Sequence, residues 1–152
     1  MRAFLNSFNG AADVLPDLER ADLMQAIESC RITPARSVAS RIRTHIERSL
    51  TSAGWSGEVQ VEPPSQITIS SIKNRVGLCV QTGGNMSRMY ADVLKLQKLY
   101  LDNLISVGAI LLPTAAAARA LGDNVANADR LKAELPIFRK VIHLPIALIA
   151  FE

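Results

Sequence analysis

Between Pro16 and Leu50 the apolar residues recur every three or four positions, and between Glu58 and Val80 the spacing tightens to two. The first spacing predicts helices and the second predicts strands. Leu18, Ala21, Met24 and Ile27 step by three, which predicts a helix from Pro16 to about Ser29. Thr33-Pro34 reads as an N-cap followed by proline at the first helical position. The helix it opens runs to about Leu50, with Val38, Ile42, Ile46 and Leu50 as a narrow apolar stripe. Glu58-Val59-Gln60-Val61-Glu62 alternates as a half-exposed strand does, and Pro63-Pro64 stops it. Gln66 to Ser71 alternates again. Val76 to Val80 is more fully apolar, and a turn at Lys73-Asn74-Arg75 joins the two runs into a hairpin.

The longest periodic signal follows the loop Thr82-Gly83-Gly84-Asn85. Met86, Met89, Tyr90, Val93, Leu96, Gln97 and Tyr100 share one helical face, predicting a helix from Met86 to about Asn103. Val107 to Leu112 is a continuous apolar run ended by Pro113, as in a strand covered on both faces. Thr114 caps a short alanine-rich helix to Leu121, Ala128 to Leu135 forms another, and Pro145 to Phe151 is a last apolar strand. Apolar strands joined through helices predict an α/β fold: a mixed central sheet flanked by helices, with an N-terminal helical segment. No linker divides the chain. We expect one domain, with a helical part over 1–52 and an α/β core over 58–152.

Composition narrows the possibilities a little. Hydrophobic residues make up 49% and charged residues 20% of the chain, which excludes disorder. A formal charge of +3 permits a phosphate-binding face without requiring one. Cys30 and Cys79 match no zinc spacing. Met1 to Gly10 lacks the pattern of a signal peptide, and no apolar run is long enough for a membrane span, so a cytoplasmic, soluble protein is expected. His45 and His143 stand apart from other candidate groups and read as surface or edge residues.

The chemistry of the chain gathers on Ile69-Ser70-Ser71-Ile72-Lys73 and Leu78-Cys79-Val80-Gln81. With Tyr90-Ala91-Asp92, Ile105-Ser106-Val107-Gly108, Leu112-Pro113 and Leu144-Pro145-Ile146-Ala147-Leu148-Ile149, these stretches come in the order and spacing of a known pattern. From about Gln66 to Phe151 the chain resembles the BglII/BstYI family of type II restriction endonucleases, within the PD-(D/E)XK nuclease fold. The resemblance implies a homodimer that grips double-stranded DNA and hydrolyses phosphodiester bonds with Mg²⁺. It also implies catalytic positions at Ser70, Cys79 and Gln81.

The departures carry as much weight as the matches. The family's metal-binding Asp falls on Ser70 and its Glu on Cys79, leaving Gln81 as the retained residue. Mg²⁺ prefers hard oxygen ligands, and a neutral hydroxyl and a soft sulfur are poor ones. Glu58, Glu62 and Asp92 are the acids that could take over, and Glu58-Val59-Gln60 repeats the Glu-x-Gln pattern on another strand. Lys73, Asn85, Arg88 and Lys95 are the candidate DNA contacts. A second reading is a non-catalytic interaction or regulatory subunit built on the same fold. A third is a thiol enzyme using Cys79, although a cysteine between Leu78 and Val80 ordinarily packs as a small hydrophobe.

Overall fold

The structure, a computed structural model, describes residues 1–152. In chain order its elements are β1 (Ala3–Phe8), α1 (Ala11–Val14), α2 (Asp17–Glu28), α3 (Ala39–Ser52), β2 (Val59–Gln60), β3 (Thr68–Ile69), β4 (Ser71–Lys73) and β5 (Val76–Val80). They continue with α4 (Met86–Leu101), β6 (Val107–Pro113), α5 (Ala115–Leu121), α6 (Ala128–Glu134), a 3-10 turn at Leu135–Phe138, and β7 (Ile146–Phe151).

β5, β6 and β7 are buried at every position, because each is covered on both faces. The sheet runs β1-β7-β6-β5-β4, with β5, β6 and β7 mutually parallel and the outer strands β1 and β4 antiparallel to their neighbours. Alternate residues face opposite layers. Cys79, Ile110 and Leu148 pack with Met89, Val93 and Leu96 of α4. Leu78, Leu111 and Ile149 pack with Leu23 of α2 and with Ile42 and Ile46 of α3. Gly77 and Gly108 are register partners beneath α4. A Cβ on Gly77 would come within 2.9 Å of Leu96, and one on Gly108 within 3.2 Å, so these glycines set how closely α4 approaches the sheet.

The mixed, helix-flanked sheet agrees with the expectation from sequence, and several boundaries differ. A strand, β1, precedes the first expected helix and pairs with β7 along its whole length. The N-terminal part therefore supplies sheet as well as helix. The helix expected after Thr33-Pro34 starts only at Ala39, because Ser37 takes a left-handed backbone conformation (φ 67°) and breaks the run. The strand expected over Glu58–Glu62 shrinks to β2, which pairs with β3 in a separate two-stranded ribbon. The stretch Gln66–Ser71 splits at Ser70, where the chain leaves that ribbon and joins the main sheet. In α2 the buried face is Glu19, Leu23, Ala26 and Ile27 instead of the step of three, and Leu18 is exposed.

Glu19 is buried because it belongs to a polar clamp. The turn between β4 and β5 has Asn74 and Arg75 at positive φ, as a tight two-residue hairpin requires. At this turn Lys73 donates to Asp22 at 2.7 Å and to the Ala53 carbonyl at 2.8 Å. Trp55 also donates to Asp22, and Asn74 donates to Glu19. The clamp ties α2 to the hairpin end away from the candidate site. Replacing Lys73 with methionine keeps the stem but leaves two largely buried carboxylates unbalanced. Urea denaturation should show a loss of about 3 kcal/mol. A loss within about 0.5 kcal/mol would mean that the clamp contributes nothing.

Candidate active site

A cleft of about 390 Å³ opens between α3, the β2–β3 ribbon and the β5 end of α4. Ser70, Cys79 and Gln81 all line it, together with Arg43, Glu47, Glu58, Asp92 and Lys95. The strand pair brings the three expected positions together in a simple way. Backbone pairing of β4 with β5 runs from Lys73–Val76 to Ser71–Leu78. Just beyond it, the Ser70 N–H donates to the Leu78 carbonyl at 2.9 Å and the Val80 N–H donates to Ser70 Oγ at 3.0 Å. Cys79 and Gln81 follow on the face that looks toward α4.

Gln81 Nε2 donates to Asp92 Oδ2, and Lys95 Nζ donates to Asp92 Oδ1 at 2.8 Å. Asp92 is therefore held by both carboxylate oxygens, and it is buried. The Cys79 thiol sits beside it. Burial first, and then the charge of Asp92, push the thiol's pKa well above its ordinary value, while Lys95 and the Ser70 backbone N–H pull the other way. The thiol is thus neutral at neutral pH and is a poor nucleophile. On the opposite wall Arg43 donates to the Val80 carbonyl at 3.0 Å and to Glu47 at 2.7 Å.

The donor set does not fit Mg²⁺. Ser70 Oγ is already an acceptor for Val80, Cys79 is a protonated thiol, and Asp92 is engaged on both oxygens. No three of the chain's His, Cys, Asp and Glu side chains lie close enough together to hold a metal ion. Of the proposed substitutes, Glu58 lies exposed at the cleft rim. Glu62 turns away from it to pair with Lys98 at 2.7 Å. The alternative site strand around Val59 lies in the two-stranded ribbon, outside the main sheet.

Of the candidate DNA contacts, Lys95 lines the cleft and Lys73 does not, its ammonium being engaged in the clamp at the hairpin turn. Asn85 is exposed, and its side chain caps α4 by accepting from the Arg88 N–H at 3.1 Å. Arg88 is exposed beside that cap. Neither histidine reaches the cleft. His45 meets Ser29 and His143 meets the Lys140 carbonyl. Glu47 carried no motif and was not anticipated. A Cβ on Gly84 would overlap Gln81 Oε1, so the glycine makes room for that side chain.

The chain has counterparts among known proteins. A family model described as restriction endonuclease BglII/BglIII matches residues 4–151. The chain belongs to the BglII/BglIII restriction endonuclease family. Two solved structures share its fold. Restriction endonuclease BglII complexed with a DNA 16-mer aligns with a TM-score of 0.84 at 12% identity, over 99% of this chain and 76% of that one. Free BglII aligns with a TM-score of 0.77 at 12% identity, over 100% of this chain and 80% of that one. No curated protein matches the sequence. Family and fold together support a DNA-binding, nuclease-like function for this BglII-family chain.

The chemistry of Cys79 makes a prediction about pH. A thiol whose folded pKa is raised stabilises the fold fully below its unfolded pKa of about 8.5 and loses that contribution as pH rises beyond it. Above about pH 8.5 the wild type should lose stability faster than Cys79→Ala, by up to about 1.4 kcal/mol per pH unit. Denaturant titrations from neutral to alkaline pH measure the difference. Parallel slopes would mean that the thiol ionises freely in the folded state.

Proposed function

We propose that this chain is a restriction-endonuclease-like protein that binds double-stranded DNA, with Mg²⁺-dependent phosphodiester hydrolysis weakened or lost. The observation that carries this reading is the cleft itself. Ser70, Cys79 and Gln81 all line it, and no three His, Cys, Asp or Glu side chains gather there to hold a metal ion. Hydrolysis in this fold relies on a bound metal to generate the attacking hydroxide and to offset charge on the phosphate. Without ligands for the metal, what remains is a groove with Lys95 on one wall and Arg43 on the other. Such groups suit holding a phosphate better than cleaving one. The relative solved with a DNA 16-mer supports duplex DNA as the partner.

We further propose a homodimer. The outer face of α4 and its following turn expose Leu94, Leu101 and Leu104, at 60%, 61% and 54%. Ile67 of the neighbouring ribbon is also exposed and, with Leu94, lines an apolar groove beside Lys98. A second copy of this chain would cover that face. The same face supports the second reading, a non-catalytic interaction subunit, in which a different protein takes the copy's place. No helix is long and apolar enough to cross a membrane. The two buried, unpaired cysteines suit a reducing compartment such as the cytoplasm.

Supercoiled plasmid incubated with Mg²⁺ or Mn²⁺ should remain uncut, while gel shifts should detect duplex binding at low salt. With six or more phosphate contacts, affinity should fall by about 10³-fold between about 50 and 200 mM salt. Efficient metal-dependent cutting would contradict lost catalysis, and absence of any duplex binding would remove DNA as the partner. Sedimentation should give a dimer that Leu94→Glu converts to monomer. A monomeric wild type would rule out the dimer.

A further inference from the structure

The mismatch between the donor set and a divalent ion has an electrostatic consequence. We infer that the cleft takes a backbone phosphate of duplex DNA directly, with Lys95 as the cationic contact and no metal ion between protein and phosphate. This rests on the DNA-binding reading above and adds how the phosphate is held. Two ionised carboxylates at positions 70 and 79 would oppose a phosphate until a cation neutralised them. Here those positions carry a hydroxyl and a buried thiol in place of carboxylates. The two charges that would demand a metal are gone.

The remaining charges in the cleft are largely balanced within the protein. Asp92 is matched by Lys95 and further held by the Gln81 amide. Glu47 is matched by Arg43 across 2.7 Å. Glu58 is the acid left without an ion-pair partner, and it stands exposed at the rim, where solvent screens it. Lys95 is only partly covered, its side chain 26% exposed, and its ammonium carries three protons of which Asp92 takes one. Two donors are left for an incoming oxygen. The Asp92 contact also anchors the ammonium, so a phosphate meets a cation already held in place.

The full-length chain and a fluorescent duplex test this by anisotropy, in EDTA and in Mg²⁺ at matched ionic strength. Binding in EDTA should be as tight as in Mg²⁺, within about two-fold. Lys95→Met should weaken binding in EDTA by about ten-fold and lower the salt slope by about one, as expected for one lost phosphate contact. Ser70→Asp, which returns one negative charge to the cleft, should also weaken binding in EDTA by about ten-fold. The two variants perturb the fold differently, and the wild-type comparison needs neither. Duplex binding in Mg²⁺ that falls ten-fold or more in EDTA would overturn the inference, as would a folded Lys95→Met that binds with unchanged affinity and salt slope. Binding in neither condition would instead remove the DNA-binding reading and this inference with it.

Discussion

The hydrogen bond from the Val80 N–H to Ser70 Oγ, 3.0 Å long, is the interaction on which the site depends. It lies where backbone pairing of β4 with β5 ends, and it prolongs the hold of one strand on the other by a step. That step fixes the register of Cys79 and Gln81, which turn toward α4 while Leu78 and Val80 turn toward α3. The same bond occupies the hydroxyl. Ser70 is thereby part of the scaffold of the cleft. Asp92 follows the same logic: an acid close enough to serve as a ligand instead organises Gln81 and Lys95.

The sheet is built on apolar burial. β5, β6 and β7 bury aliphatic side chains on both faces, each contributing roughly 1.5–3 kcal/mol of transfer free energy. The clamp of Lys73, Asp22, Trp55 and Asn74 fastens the N-terminal helices from the other end of the hairpin. Buried acids in the cleft would need a cation or a proton to offset their desolvation. A hydroxyl and a thiol need neither.

Much of this was legible in the sequence. The fully apolar strands and α4 were clear because burial on two faces or along one helical face leaves a strong periodic signal. Thr114 caps α5, and Asn74 and Arg75 make the hairpin turn, as local chemistry implies. β1 was missed because Ala3–Phe8 neither alternates nor steps like a helix; its structure comes from pairing at the sheet edge. The α2 face was misassigned because Glu19 is buried by partners distant in sequence. At the site, the spacing of Ser70, Cys79 and Gln81 could be read along the chain. The Asp92–Lys95 pairing and the approach of Arg43 depend on how α3 and α4 pack, which spacing does not encode.

The central claim is that positions 70 and 79 form an uncharged, metal-free site in a nuclease fold. Calorimetric titration of Mn²⁺ into the intact protein, without DNA, tests this most directly. The account predicts no saturable heat up to millimolar ion. A saturable site of one ion per chain, abolished by Asp92→Asn or Glu58→Gln, would show that an acid has taken over the lost role and would contradict it.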